Sequence, residues 1–154
     1  MAHYVVHEHH SKQLHFDLRL EFNGVLKSFA IPKGPSMNPK EKRLAIRVED
    51  HPLDYKDFEG IIPEGSYGAG YVVIWDRGTY KILKGSLDEG LLELMFNGKE
   101  LKGIFILKRL KSDKDWLLFK KKDGLEDHAF KISLKLTEDK KKQLKEREVI
   151  CQTS

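Results

Sequence analysis

The 154-residue chain is about the size of one ordinary domain, long enough to enclose a single core. Apolar residues at 40% and charged residues at 34% exclude a disordered or membrane-embedded chain, and no apolar run approaches the ~20 residues that span a bilayer. The net charge of +4 is unevenly spread: residues 1–77 hold 10 Lys/Arg against 11 Asp/Glu, and residues 78–154 hold 18 against 13. That surplus suits a polyanionic partner, and it suits an ordinary solvated surface equally well. A single cysteine, Cys151, gives no disulfide framework, and Met1-Ala2-His3-Tyr4 lacks the basic-then-apolar pattern of a signal peptide. A cytoplasmic protein with no membrane partner is expected.

In chain order the pattern is mostly strand. Leu14 to Phe22 alternates strictly, with Leu14, Phe16, Leu18, Leu20 and Phe22 on one face and His15, Asp17, Arg19 and Glu21 on the other. His9 sits ahead of that strand, where a loop would fold it back. Asn23-Gly24 reads as a tight hairpin turn into Val25–Ile31, which Pro32-Lys33-Gly34-Pro35 ends. Arg43 to His51 alternates again, with Leu44, Ile46 and Val48 opposite Arg43, Arg47, Glu49 and His51. Gly60 to Gly70 is a glycine-rich loop without the spacing of a nucleotide-binding P-loop, so it reads as a structural turn. Further strands are expected at 71–76, 78–83, 91–97, 103–109, 115–121 and 129–135. Trp75 and Trp116 read as core, and the Lys120-Lys121-Lys122 and Lys140-Lys141-Lys142 clusters as solvated surface.

Thr137 is placed to cap a polar C-terminal helix with Glu138 and Asp139 in its first turn. The expected fold is mainly β: a closed or nearly closed barrel of about eight strands over residues 1–136, with short flanking helices. A polar helix or tail over 137–154 follows.

The chemistry-bearing segment is His9-His10-Ser-Lys-Gln-Leu-His15-Phe-Asp17-Leu-Arg19-Leu-Glu21. On a strand, residues two apart share a face at roughly 6.6–6.8 Å. His15 and Asp17 therefore point together, and Arg19 follows one step on, suited to a bidentate grip on phosphate. Two imidazoles and one carboxylate make a divalent-metal set with open positions. A solvated outer face explains the same alternation. The pattern leaves both readings open, although Lys, Glu, Ser and Thr are commoner on such faces than His, Asp and Arg. If the polar faces line the inside of a barrel, they make a water-accessible pocket.

A longer series of motifs narrows the choice. After His9-x5-His15-x-Asp17-x-Arg19-x-Glu21 come Gly24-Val-Leu-Lys-Ser-Phe-Ala-Ile-Pro-Lys-Gly-Pro-Ser36, Arg43-Leu-Ala and Val48-Glu-Asp-His-Pro-Leu-Asp-Tyr55. Phe58-Glu-Gly-Ile-Ile-Pro-Glu-Gly-Ser-Tyr-Gly-Ala-Gly70 and Val73-Ile-Trp-Asp-Arg-Gly-Thr79 complete the run. The series closely resembles the 3′-phosphoesterase module of the bacterial and archaeal end-joining DNA ligase D, continuously over about residues 4–80. The resemblance implies a compact β-barrel with its sites in a crescent-shaped groove and a manganese-dependent enzyme acting on the 3′ end of a primer strand. Such an enzyme removes a 3′-terminal ribonucleoside, then the 3′-phosphate left behind.

It further implies His9, His15 and Asp17 as metal ligands, with Arg19, Arg43, His51, Tyr55 and Lys33 around the phosphate. Glu21 and Glu49 become supporting carboxylates. Co2+, Zn2+ or Ni2+ suit the same donors. His51, with an ordinary pKa of about 6.5, is the expected proton donor to the leaving oxygen. His7 and Gln13 stand where the modules usually carry Gln and Arg. A DNA ligase and a polymerase would act in trans. The alternative is a module of a repair complex that binds nucleic acid with little or no turnover, which predicts binding without metal-dependent hydrolysis.

Overall fold

The computed structural model describes residues 2–153, with side chains described through residue 148; Cys151 lies beyond the latter. Nine strands form one antiparallel sheet: β1 (Ala2–His10), β2 (Leu14–Phe22), β3 (Val25–Ile31), β4 (Arg43–His51), β5 (Gly60–Ile62), β6 (Gly70–Ser86), β7 (Leu91–Gly98), β8 (Lys102–Arg109) and β9 (Asp115–Lys120). The order is β1-β2-β3-β4-β9-β8-β7-β6-β5, and β1 also pairs with β6. Eight strands thus close into a barrel, and β5 is an extra strand on the first residues of β6. A 3₁₀ helix spans Leu53–Asp57, and α1 spans Glu138–Thr153.

The barrel interior is apolar, which corrects the expectation that polar faces line it. Phe16, Leu18 and Leu20 of β2 join Phe29, Leu94, Phe96, Phe105, Leu107, Trp116 and Leu118 in one buried cluster. Ring contacts cross it, Tyr4 on Phe96 at 4.7 Å and Phe29 on Trp116 at 5.5 Å. The physical reason is volume. Eight strands leave an interior that side chains just fill, and burying apolar surface there is what closes the barrel. Trp75 and Trp116 are core residues, as expected.

Local sequence explains the connections. Asn23 and Gly24 both take positive φ, 51° and 81°, the requirement of a two-residue hairpin between right-twisted strands. The two strands expected at 71–76 and 78–83 are one 17-residue strand, β6, which serves β1 and β5 at its start and β7 at its end. The stretch 129–135 is not a strand. It runs over the barrel, held by Trp75 Nε1 donating to the Ser133 carbonyl and by Lys135 and Leu136 N–H donating to buried Glu8. Lys120 is likewise not surface: it is 1% exposed and paired with Asp123. Thr137 caps α1 as expected, its Oγ1 accepting the Lys140 N–H at 3.1 Å. The helix packs back through Leu144 and a 2.7 Å ion pair from Lys140 to Glu59.

Candidate active site

The polar face of β2 lies on the outside of the barrel, and its register builds the site row by row. Facing partners in antiparallel strands share a face. His9 faces His15; His7 faces Asp17, which faces Ala30; Arg19 faces Ser28 and then Val48; Glu21 faces Leu26 and then His51. From Ser28 to Leu26 is two residues, but from Val48 to His51 is three. This extra residue is a β-bulge. It turns His51 onto the face of Arg19, whereas unbroken alternation would have placed it with Arg43 and Arg47.

His9, the loop residue of the sequence reading, is a strand residue directly opposite His15. One donor atom from each of His9, His15 and Asp17 lies within 4.8 Å of the others. Asp17 Oδ2 is 3.3 Å from His15 Nε2 and 3.6 Å from His9 Nδ1. The outer nitrogens are both committed. His9 Nε2 donates to the Gly68 carbonyl at 2.6 Å, and His15 Nδ1 to the Gln13 carbonyl at 3.1 Å. Each inner nitrogen then presents a lone pair toward a carboxylate. Acceptors converging on acceptors need a cation between them, so the three residues fit a divalent metal ion, with backbone carbonyls orienting the imidazoles. In the absence of metal a proton serves: the hydrogen bond to Asp17 raises the pKa of His15. Burial alone would raise the Asp17 pKa, but hydrogen bonds from His15 and His9 and the Arg19 charge hold it well below the usual carboxylate range.

Arg19 is 4% exposed and caged. Its Nε donates to His7 Nδ1 at 3.0 Å, Nη1 to Ser28 Oγ at 2.9 Å, and Nη2 to Asp17 Oδ2 at 3.3 Å. Nη1 also lies 3.1 Å from His51 Nδ1, and the guanidinium sits 5.0 Å over the Tyr55 ring. His7 is the residue that sequence reasoning noticed only as a departure. Burial and the adjacent Arg19 cation push its pKa down to about 3, so its Nδ1 accepts while Nε2 donates to the Phe58 carbonyl at 3.0 Å. Phe58 in turn stacks flat on Tyr55 at 4.8 Å. Ser28 was inside a recognised motif without an assigned role, and the Phe58 and Gly68 contacts are backbone carbonyls, which no residue type advertises.

The remaining expected residues lie further out. Glu21 is on the site face and holds Lys56 at 3.5 Å. Glu49 meets the site through its carbonyl, 3.1 Å from His51 Nδ1. Arg43 shares a face with core residue Ala45; its Nη2 bonds Glu41 at 3.2 Å and its buried Nε has no partner. Lys33 is exposed in the turn after β3. Among the described residues, neither Arg43 nor Lys33 makes a polar contact with the Asp17–Arg19 cluster.

A barrel carrying a two-histidine, one-carboxylate set beside a caged arginine has the makings of a phosphoester hydrolase. Comparison with known proteins places it further. Residues 7–109 match the family described as the DNA ligase D 3′-phosphoesterase domain, and the chain belongs to that family. It is 49% identical over 127 residues to the multifunctional non-homologous end joining protein LigD of Pseudomonas aeruginosa, covering 79% of this chain and 15% of that one. It is 43% identical over 129 residues to its namesake in Mycolicibacterium smegmatis, with 78% and 17% covered. The corresponding protein of Mycobacterium tuberculosis is 43% identical over 131 residues, with 84% and 17% covered. The chain thus spans about one sixth of the length of these relatives.

Proposed function

We propose that this protein is a divalent-metal-dependent enzyme that heals the 3′ ends of nucleic acid strands. It removes a 3′-terminal ribonucleoside by diester hydrolysis and then the remaining 3′-phosphate, leaving a 3′-OH. The carrying observation is that the His9–His15–Asp17 donor set adjoins Arg19 through one shared carboxylate, with His51 on Arg19's other side.

His9, His15 and Asp17 hold the ion, manganese in this reading, with Co2+, Zn2+ or Ni2+ suited to the same donors. Bound there, it would polarise a phosphoryl oxygen and lower the pKa of a coordinated water. Arg19 stabilises charge on the equatorial oxygens. Of its five N–H groups, one on Nη2 remains free of the contacts above. A second becomes available when His51 takes up a second proton and carries one on each ring nitrogen. His51 Nδ1 lies 3.1 Å from both Arg19 Nη1 and the Glu49 carbonyl, and it cannot accept from one and donate to the other at once. With a proton on Nδ1, His51 donates to Glu49 and Arg19 gains a second free N–H, giving it a fork for phosphate. The protonated ring then has Nε2–H to give to the leaving oxygen. Tyr55, packed on His51 at 4.8 Å and under Arg19, holds both rings in place and borders the phosphate. Lys33 and Arg43 contribute outlying positive charge, and Glu21 and Glu49 support from the flanks.

The partner is the 3′ end of a primer strand, and a DNA ligase is the class of enzyme that consumes the 3′-OH. The test is a primer–template with one 3′-terminal ribonucleotide, incubated with manganese or with EDTA, using wild type and Asp17→Ala. Loss of the ribonucleoside followed by a 3′-OH, only with metal and only in wild type, is the expected result. Strand binding without metal-dependent cleavage would replace the enzyme by a binding module.

A further inference from the structure

Beside His51 the surface opens into a cleft of about 630 Å³ lined by Val25, Asp50, His51, Pro52, Leu53 and Asp54. Its volume is within the range of small-molecule sites, about 300–1,000 Å³. The reading above does not use it. We infer that this cleft receives the departing ribonucleoside, and that Asp54, with Asp50, recognises its 2′,3′-diol; the inference rests on the phosphoesterase reading.

Three observations converge. The first is position. Among the described residues, His51 is the one common to the Arg19 cage and to the cleft, because the bulge in β4 turns it onto the face of Arg19 and Pro52 caps the 3₁₀ helix next to it. In the diester step a water oxygen bonds to phosphorus, the P–O5′ bond breaks, and the proton from His51 goes to O5′. The phosphate stays on the strand, and the nucleoside leaves with a 5′-OH. A proton donor has to sit within about 3 Å of the oxygen it serves, so the sugar bearing O5′ lies on the His51 side, at the cleft mouth.

The second observation is charge. Asp50 and Asp54 line the cleft; Asp50 also holds Lys27 at 2.9 Å, and Asp54 is exposed on the 3₁₀ helix. Lys27 offsets much of the Asp50 charge, so repulsion of a strand that carries a phosphate at every nucleotide comes chiefly from Asp54. A terminal nucleoside brings no phosphate beyond the one being cleaved. The third is chemical fit. A carboxylate accepts hydrogen bonds from the two hydroxyls of a ribose, as acidic residues do for nucleotide sugars in other folds. Val25, Pro52 and Leu53 supply apolar surface for the base.

In the second step the departing sugar is still tied to the strand through its 5′ side, and a DNA 3′-phosphate end offers no vicinal diol. The two steps therefore depend on the cleft unequally, and this is measurable. Steady-state kinetics would compare wild type, Asp54→Ala and the obstructing variant Leu53→Trp on two primers, one ending in a ribonucleoside and one DNA primer ending in a 3′-phosphate. The expected result is a fall in kcat/KM for ribonucleoside removal, through KM, at least about tenfold larger than any fall for phosphate removal, the scale of hydrogen bonds to a charged group. Equal losses on both primers would mean that the cleft holds the strand or only supports the fold, and would overturn the inference. No loss on either would overturn it as well. Wild type inactive on both would bring down the phosphoesterase reading itself, an outcome distinct from the other two.

Discussion

At the residue scale the site is a set of fixed hydrogen-bond roles. His9 and His15 each donate the outer N–H to a backbone carbonyl and turn the inner nitrogen toward Asp17, and His7 accepts from Arg19 while donating to the Phe58 carbonyl. His51 is the exception, with two competing partners, and burial together with the Arg19 charge lowers its pKa from the ordinary value. A histidine so poised gives up its proton readily, which suits a general acid. His51→Ala should therefore lose far more activity on an alkyl leaving group than on an activated aryl phosphate, which leaves without a proton. Equal losses in kcat on the two would remove the acid role. Arg19 makes a second prediction. Lysine carries the charge but not the planar fork, and it cannot serve His7, Ser28 and Asp17 together. Arg19→Lys should lower kcat by about 10²-fold, the scale of one lost charge-stabilising donor, with thermal stability monitored to show that the cage still folds. The sequence made His15, Asp17 and Arg19 legible because one strand's alternation presents all three. It did not make His7 legible, since its role as an acceptor depends on how deeply it is buried.

At the element scale, legibility followed exposure. β2 was readable because one of its faces is apolar and the other polar. β1 was not: Tyr4, Val5, Val6, His7, Glu8 and His9 are all buried, so no alternation survives. The stretch 129–135 was misread for the opposite reason, because Phe130 and Ile132 pack against the barrel from a segment that pairs with no strand. The bulge in β4 left no mark in the sequence either, although it decides where His51 points. Glu59 shows how a distant element reaches this face. It follows Phe58, whose carbonyl fixes His7; its Oε2 accepts the Ile74 N–H at 2.8 Å and its Oε1 holds Lys140 of α1.

Burial would raise the Glu59 pKa, but the bonds from Lys140 and Ile74 outweigh it and the value lies below the ordinary 4.5. The folded protein thus releases this proton more readily than the unfolded chain. The helix contact is fully present above about pH 4.5 and is lost as pH falls through the lowered folded value. Glu59→Gln should loosen the start of α1 at neutral pH, raising amide exchange there by about threefold, the scale of a surface ion pair. The same loosening should appear in wild type only on acidification. Unchanged exchange in the variant would mean that Leu144 and the Lys141 contact with the Tyr71 ring hold the helix without the ion pair.

At the scale of the whole molecule the metal donors stand on the seam that closes the barrel. His9 is on β1, which pairs with both β2 and β6, and the other two donors are on β2. Gly68, whose carbonyl orients His9, is on the connection from β5 to β6; at φ +75° a Cβ there would sit 3.2 Å from His9 Cε1, so glycine lets that loop approach the ring. A cation held by these residues ties the first strand to β2, and the Gly68 carbonyl on His9 links that pair to the loop entering β6, so opening the seam would release it. Because a single apolar cluster fills the barrel, seam and core are expected to unfold together, and binding should add its full linkage free energy to stability. With manganese at one hundred times its dissociation constant that is about 2.7 kcal/mol, or about 5–11 °C in Tm for a domain of this size. Asp17→Ala should abolish the shift, and EDTA should reverse it in wild type. Phe96→Ala, which opens a cavity in the core at a cost of about 3–5 kcal/mol, should lower Tm yet keep the manganese shift. A shift that survives in Asp17→Ala would place the ion away from His9, His15 and Asp17, and the catalytic reading of that cluster would go with it.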